Sequence, residues 1–168
     1  MIVRNADPAG IEQLARIWYE AWQEAHADIL PPELARHRTL ESFRDRLASM
    51  LPAVRVVGSP NEPVGFCIVQ GNELYQLFVS AAARGSRVAA ALIADAESRI
   101  AGSGVETGWL ACAIGNDRAA RFYEKHGWHR AGTVVSHLET PDGISPLEVW
   151  RYEKRVRQAA LRRHAIDP

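Results

Sequence analysis

A six-residue loop between an apolar segment and a helix-like segment constrains the fold of this chain more than any other feature. The loop is Arg84–Ala89, and the apolar segment Leu74–Val79 precedes it. After the loop, apolar residues recur at helical spacing, at Ala89, Leu92, Ala96 and Ile100. Small residues at a strand-to-helix turn let backbone N–H groups approach a ligand, and the helix N-terminus adds partial positive charge. The loop therefore predicts a site for an anionic group, above all a phosphate or pyrophosphate.

A second segment, Asn116–Trp128, reads as a short amphipathic helix that Gly127 ends. Between the two segments lies Trp109–Ile114, which is apolar throughout. Such a run is typical of a strand that is covered on both faces. The chain thus predicts a strand, an anion-binding loop, a helix, a buried strand and another helix in succession.

The rest of the chain predicts further strands and helices around this unit. Helical spacing of apolar residues covers Ile11–Ala25, and Thr39 is placed to cap a second helix that runs to about Met50. Residues 28–38 are expected to form a loop. The predicted strands are Ile2–Arg4, Val54–Val57, Val64–Val69, Glu73–Val79, Trp109–Ile114, Thr133–Glu139 and Leu147–Tyr152. The order is β-α-α-β-β-β-α-β-α-β-β, which predicts an α/β fold with a mixed sheet and helices on its faces.

Composition and the lengths of the apolar runs limit which partners and which cellular compartment are expected for this protein. The 20 basic and 20 acidic side chains cancel, so net charge gives no reason to expect a nucleic acid as the main partner. The apolar runs are too short to span a bilayer, and the N-terminus lacks the layout of a signal peptide. We therefore expect a cytoplasmic protein with no membrane partner. Cys67 and Cys112 lie in apolar runs and are expected to be small buried core residues.

The two segments together resemble the GCN5-related N-acetyltransferase (GNAT) superfamily over residues 2–153. The loop of that family reads Gln/Arg-x-x-Gly-x-Gly/Ala, which Arg84 and Ala89 match at its ends, while Arg87 occupies the usual glycine position. A side chain there crowds the approach of a ligand unless it points outward. The second family pattern is matched at Asn116, Ala119, Phe122, Tyr123, Gly127 and Trp128. The resemblance implies one GNAT domain, residues 1–153, with a mostly antiparallel sheet, followed by a basic tail, residues 154–168.

The resemblance also implies a cosubstrate and the residues that bind it. Acetyl-CoA is the expected cosubstrate, with no metal. The backbone of Phe78 and Val79 is expected to pair with the pantetheine arm. The backbone amides of the loop are expected to hold the pyrophosphate, namely those of Gly85, Ser86, Arg87, Val88 and Ala89, beside Arg84. The acceptor is expected to be an amine of a small molecule or of a protein, and the family often forms homodimers.

Tyr123 and Asn116 are the polar candidates of the second segment. The phenol of Tyr123, with an ordinary pKa near 10, can protonate a departing thiolate, whose ordinary pKa is about 8.5. The alternative is that Tyr123 packs beside Phe122 and only positions the coenzyme sulfur. Asn116 is a natural helix N-cap, and a contact to the pantetheine is compatible with that role.

Three residues are candidates for the acceptor side of the site: Glu73 and His26 for the general base, and Trp22 for the wall of the pocket. Glu73 begins the strand that borders the acceptor site, and partial burial would raise its pKa. The alternative is a solvated carboxylate at the end of a hairpin. His26, on the first helix, is the second candidate, although a lone histidine on a helix is more often structural. Trp22 is either a core residue or a wall of the pocket. Some members of the family need no dedicated base.

The sequence predicts an acetyl-CoA-dependent N-acetyltransferase in which the amine attacks the thioester directly. A protein from another class stays open as the alternative, namely a CoA-binding regulatory module with little or no catalysis. Acyl transfer to a hydroxyl group, or of a longer acyl chain, is a third alternative. Release of free thiol from acetyl-CoA in the presence of amines distinguishes the enzyme from the module.

Overall fold

The computed structural model of the protein describes residues 1–157, which form seven strands and five α-helices. In chain order these are β1 (Arg4–Asn5), α1 (Ile11–His26), α2 (Pro32–His37), α3 (Leu40–Met50), β2 (Val54–Ser59), β3 (Glu62–Gln70), β4 (Glu73–Val79), α4 (Val88–Gly102), β5 (Thr107–Ala113), α5 (Asp117–Lys125), β6 (His129–Thr140) and β7 (Gly143–Arg155). The predicted α/β class is confirmed.

All seven strands belong to one sheet, in the order β1-β2-β3-β4-β5-β7-β6. Every neighbouring pair is antiparallel except β4 and β5, which are parallel. The sheet is therefore mixed and mostly antiparallel, as expected. The parallel pair at its centre is preceded and followed by the two segments that the sequence singles out.

Helices cover both faces of this sheet, and each face has its own core. On one face α1 and α3 pack on the sheet around Trp18, Phe43 and Phe66. On the other face α4 and α5 pack around Leu92, Trp128 and other buried residues. The side chains of β3 alternate between the two cores, since Phe66 and Ile68 belong to the first and Cys67 to the second. Helices on both faces are thus confirmed.

The start of α4 lies directly on β3 because a glycine faces it. A Cβ atom on Gly65 would lie 2.9 Å from Cγ1 of Val88 and 3.1 Å from Cδ1 of Leu92. Both distances are shorter than ordinary contacts, so only glycine permits this approach. The close packing fixes the first turn of α4, and with it the loop that precedes the helix.

The first strand covers Arg4–Asn5 rather than the predicted Ile2–Arg4. The structure differs from the sequence-based prediction in three further places. A short helix, α2, lies within residues 28–38, where a loop is predicted, and Pro32 occupies its first position. The last two strands are longer than predicted, because the β6–β7 hairpin pairs continuously as far as the turn at Gly143. Strand β7 reaches Arg155, two residues into the predicted tail; residues 158–168 lie outside the described part of the chain.

Both cysteines are buried free thiols, as the sequence predicts. Among residues 1–157, no helix has the length and apolar character that a membrane span needs. The same residues contain no group of three or more His, Cys, Asp and Glu side chains arranged to hold a metal ion.

Candidate active site

The central parallel strands separate soon after they begin. Glu73 of β4 is paired with Trp109 of β5, and the Trp109 N–H donates to the carbonyl of Asn72 at 3.0 Å. Beyond this point the described register contains no further pair between β4 and β5. The edges of both strands are therefore free to face a ligand in the gap between them.

A cavity of about 340 Å³, here called the loop cavity, occupies this gap and extends to the Arg84–Ala89 loop. Its walls come from β4, β5, α5, the loop and the last turns of α1. Seven of the predicted coenzyme-binding residues line it, namely Phe78, Val79, Arg84, Gly85, Ser86, Ala89 and Asn116. Tyr123 also lines it. The structure thus brings the two predicted segments together around one cavity.

The loop presents several backbone N–H groups without a partner. Within residues 1–157, no hydrogen bond is made by the amides of Gly85, Arg87, Ala89 and Ala90. The amide of Ser86 donates to the carbonyl of Ala83 at 3.3 Å. Two of these free donors precede the 15-residue helix α4 and two lie in its first turn, so together they form a positive end that suits an anion.

Two of the predicted coenzyme-binding residues lie outside the lining of the loop cavity. The side chain of Val88 is buried in the core beneath the sheet, so only its backbone is available to the loop. Arg87 is exposed, with φ at −88°, which is a backbone conformation open to any residue. Its side chain does not crowd the cavity, which explains why an arginine is tolerated where the family has glycine.

Tyr123 projects from α5 among other aromatic rings. Its ring centroid lies 5.5 Å from that of Phe122, 6.2 Å from that of Tyr152 and 6.5 Å from that of Trp128. Burial, followed by the nearby Cys112, raises the pKa of the Tyr123 phenol well above its ordinary value. The hydroxyl group is therefore protonated at neutral pH and can donate a hydrogen bond into the loop cavity. The same shift makes it a weaker acid than an ordinary tyrosine, so transfer of its proton to a thiolate is more uphill than the ordinary pKa indicates.

Asn116 caps α5 and also lines the loop cavity. Its Oδ1 accepts a hydrogen bond from the Ala119 N–H at 3.4 Å and so caps α5. The same residue lines the loop cavity. Helix capping fixes where α5 begins, and hence where Tyr123 lies two turns later.

A carboxylate from α1 holds two arginines at the edge of the loop cavity. Glu24 accepts hydrogen bonds from Arg84 at 2.6 and 2.5 Å and from Arg118 at 3.3 Å. The hydrogen bonds from Arg84, and then those from Arg118, lower the pKa of Glu24 to about 2. Glu24 is thus ionised at neutral pH and occupies cations that would otherwise be available to an anionic ligand.

A second cavity, of about 530 Å³, lies on the other side of the same strands. Because Trp18, Trp22 and Trp109 contribute to its walls, it is here called the tryptophan cavity. Predicted residues Glu73, Trp22 and His26 all line it. His26 lines the loop cavity as well, together with Tyr75, Gln76, Ala111 and Ala113 of the two central strands. The two cavities therefore adjoin at these residues.

Burial shifts the pKa values of both candidate bases in the tryptophan cavity, Glu73 and His26. Burial raises the pKa of Glu73, and Arg151 opposes this shift. Burial lowers the pKa of His26 to about 4, so that its imidazole is neutral at pH 7 and is a weaker base than an ordinary histidine. Glu73 is half-buried. The buried environment agrees with the base interpretation of Glu73 better than with a solvated carboxylate.

A β-bulge lies in β4 at the junction of the cavities. The register between β3 and β4 shifts between Ile68 and Val69, so that Tyr75 has no direct partner. From strand alternation, only one of the Tyr75 and Gln76 side chains is expected to face the acceptor side. Both residues line both cavities, where the free edge of β4 can contribute backbone as well as side-chain atoms.

Several charged residues at the cavities were not identified from the sequence, among them one glutamate and three arginines. Glu24 and Arg118 lie at the loop cavity, and Arg38 and Arg46 line the tryptophan cavity. Of these four, Arg118 could have been identified from the sequence, since it lies two residues after Asn116 within the second segment. The other three are brought to the site by contacts between distant parts of the chain.

Comparison with known proteins agrees with this architecture. The model of the acetyltransferase (GNAT) family matches residues 11–128, while no curated protein sequence is significantly similar. A GCN5-related N-acetyltransferase from Rhodopseudomonas palustris is similar in structure, with a TM-score of 0.71 and 20% identity over 92% of this chain and 94% of that one.

Two further solved structures are similar to the chain. YjaB from Escherichia coli, solved in its apo form, has a TM-score of 0.67 and 24% identity, covering 91% of this chain and 97% of its own. YncA from Salmonella typhimurium, solved with its cofactor acetyl-CoA, has a TM-score of 0.67 and 12% identity, covering 94% of each chain. The similarity to these structures is one of fold. Because the family model matches well over half of the 168 residues, the chain belongs to the GNAT acetyltransferase family.

Proposed function

We propose that this protein is an N-acetyltransferase that moves the acetyl group of acetyl-CoA to a primary amine within a ternary complex. The observation that carries the proposal is the separation of β4 and β5 beside four free amides, three in the loop and one in the first turn of α4. The gap accepts an extended chain, and the loop accepts its anionic end. A solved structure of similar fold, that of YncA, contains acetyl-CoA, which supports this choice of ligand.

The residues of the loop cavity suit the parts of acetyl-CoA. The amides of Gly85, Arg87 and Ala89 would donate to the pyrophosphate. The free edge of β4 at Phe78 and Val79 would pair with the amides of the pantetheine arm. When bound, acetyl-CoA supplies an activated thioester carbonyl, which this binding mode directs toward the junction of the two cavities.

The acceptor amine would enter through the tryptophan cavity and meet the thioester at the junction. Its nitrogen forms a bond to the carbonyl carbon while the carbon–sulfur bond breaks. The amine loses one proton, which Glu73 accepts directly or through water, with His26 as the second candidate. The sulfur gains one proton from Tyr123, and the products are an amide and the free thiol of CoA.

Direct attack is supported by the state of the one cysteine at the loop cavity. Cys112 lines this cavity, and burial raises the pKa of its thiol to about 12. A thiol with that pKa is almost entirely un-ionised at neutral pH, so it is a poor nucleophile for an acyl-enzyme route. Direct transfer from the thioester to the amine requires no ionised cysteine.

The proposal is tested by measuring thiol release from acetyl-CoA with a panel of primary amines, beside CoA binding by calorimetry. We expect amine-dependent thiol release and saturable binding of CoA. Binding of CoA without release of thiol with any amine would contradict the enzyme and favour a regulatory CoA-binding module. Release that depends on hydroxyl compounds instead would contradict the amine acceptor.

A further inference from the structure

The tryptophan cavity contains an arginine whose charge is not compensated by the protein. Arg38 follows α2 and is 9% exposed, the one charged residue in the buried class among residues 1–157. Within that part of the chain, its side chain has no carboxylate within 4.0 Å and makes no hydrogen bond. No nitrogen of Arg38 is among the fully enclosed, unpaired side-chain atoms of the described residues, so its guanidinium is open to the cavity rather than sealed in the core. An anionic ligand in the cavity can therefore reach it and form charge-assisted hydrogen bonds.

Arg46 increases this excess of positive charge. It reaches the same cavity from α3, and its guanidinium carbon lies 4.4 Å from the centroid of the Trp18 ring. Its Nη2 donates to Tyr75 Oη at 2.6 Å, and no carboxylate of the described chain pairs with it. Burial, and then the charge of Arg46, lower the pKa of Arg38. Two cations thus face one cavity and destabilise each other, which a bound anion would relieve.

The remaining walls of the cavity limit what this anion can belong to. Glu73 and Glu139 line it with negative charge, whereas Leu34, Leu138 and Leu147 line it with apolar surface. A ligand that carries a cationic amine, an apolar body and an anionic group would complement all three kinds of wall. The volume of about 530 Å³ is that of a small-molecule site.

The cavity is also bounded by two elements that contact each other. His37, at the end of α2, has its Nε2 2.8 Å from Oδ2 of Asp142 in the β6–β7 turn. Arg38 immediately follows this contact in the chain. The contact joins the two segments on either side of the cavity, which favours a small ligand over a protein segment.

We propose that the acceptor is a small aminocarboxylate with an apolar body, whose carboxylate is bound by Arg38 with the support of Arg46. This inference depends on the proposed function, because it assumes that the tryptophan cavity receives the amine that is acetylated. In the bound state the carboxylate lies at the two guanidiniums, and the amine extends toward the junction with the loop cavity. Acetylation there converts the aminocarboxylate to its N-acetyl derivative, with the proton transfers given above.

The test uses acceptors matched in everything except the anionic group. Leucine, phenylalanine and a series of ω-amino acids of increasing chain length are each compared with their own carboxamides. We expect kcat/KM for at least one aminocarboxylate to exceed that for its carboxamide by about tenfold or more, since charge-assisted hydrogen bonds are the strong ones. For that substrate, Arg38→Gln should reduce kcat/KM by about 10–100-fold and abolish the preference for the carboxylate.

The control variant is Arg36→Gln, because Arg36 belongs to the same short helix but is exposed. It should retain the activity and the preference of the wild type. If Arg38→Gln does not fold, as judged by circular dichroism, Arg38→Lys replaces it; we expect this variant to retain the charge but to lose most of the preference, because lysine lacks the planar pair of donors.

Two results would overturn the inference while leaving the proposed function intact. One is equal kcat/KM for every aminocarboxylate and its carboxamide; the other is an unchanged preference in the folded Arg38 variant. Absence of turnover with all amines contradicts the proposed function instead. In that case calorimetric titration of the CoA-saturated protein with the same aminocarboxylates decides the inference. Binding that Arg38→Gln abolishes would support it, and absence of binding would contradict it.

Discussion

Away from its junction with the tryptophan cavity, the loop cavity takes most of its polar groups from two short stretches of chain. The polar groups of the tryptophan cavity come from elements spread over more than half of the sequence. In the first, the donors are backbone amides at the start of α4 and a tyrosine of α5. In the second, they are side chains of α1, α3, β4 and β6, together with Arg38 after α2. Backbone donors suit a ligand that is common to a family, and side chains from many elements allow the acceptor to differ between its members.

This contrast predicts that kcat falls most when a catalytic side chain of the loop cavity is removed. Tyr123→Phe removes the proton donor without changing the shape of the ring. We expect kcat to fall by about 10–1000-fold with little change in CoA affinity, in line with contributions of general acids. Steady-state kinetics and calorimetry on the same preparation measure both quantities.

Tyr152→Phe is the matched control for Tyr123→Phe. Tyr152 is buried beside Tyr123 but lines neither cavity. Its hydroxyl donates a hydrogen bond to Glu124 at 2.9 Å and accepts one from Arg130 at 3.1 Å. Its loss should reduce stability by about 1 kcal/mol and leave kcat within about threefold. An unchanged kcat in Tyr123→Phe would exclude Tyr123 as the acid.

On the acceptor side, Glu73→Gln should lower kcat by about tenfold or more at neutral pH, because a positioned base is lost. The raised pKa of Glu73 places the ionisation of the wild type above its ordinary value of 4.5. Activity should therefore increase with pH through that raised pKa in the wild type, and the variant should lack this acid limb. Exposed Glu62 provides the control, Glu62→Gln.

The same shift predicts the stability of Glu73→Gln. A carboxyl whose pKa is raised on folding contributes stability below its unfolded pKa, and this contribution is lost as the pH rises through the folded pKa. At pH 7 the ionised Glu73 thus destabilises the folded state. Glu73→Gln should be at least as stable as the wild type at pH 7, measured by thermal unfolding. A less stable variant with a normal acid limb would indicate a structural role.

A smaller effect is expected at the edge of the loop cavity, at Glu24. Glu24→Gln releases Arg84 and Arg118 from their ion pairs, so both become available to the phosphates of CoA. We expect the Kd for CoA to fall by about 3–10-fold at low salt, with the gain reduced at high salt because exposed charges are screened. Glu20→Gln, one turn earlier on α1 and exposed, is the control. Weaker binding would mean that Glu24 is needed to orient the arginines.

The smallest effect is expected at the position where the loop departs from the family pattern. Arg87→Gly should leave the Kd for CoA within about twofold, because the side chain is exposed and glycine at a helix N-cap costs only a few tenths of a kcal/mol. Calorimetry measures this. A large weakening would show that the guanidinium itself contacts the coenzyme, and that the amides do not account for most of the binding.

The local parts of the site are predictable from the sequence because their causes are local. Thr39 caps α3 through a hydrogen bond from the Ser42 N–H at 3.1 Å, and Asn116 caps α5, as their sequence positions indicate. The free amides at the loop follow from the order of strand, loop and helix. The short helix α2 is not predictable in the same way, because its six residues are stabilised by burying Leu34 in the core around Trp18.

The sequence by itself determined the α/β fold, the position of the anion-binding loop and the helix that carries Tyr123, because hydrophobic period, glycine and capping residues act over a few neighbours. Only the tertiary structure decided where β4 and β5 separate, that β4 has a bulge at Tyr75, and that Glu24 lies beside Arg84. It also decided that Arg38 is buried without a carboxylate among the described residues. These features arise from contacts between residues far apart in the chain, and such contacts leave no periodic pattern in the sequence.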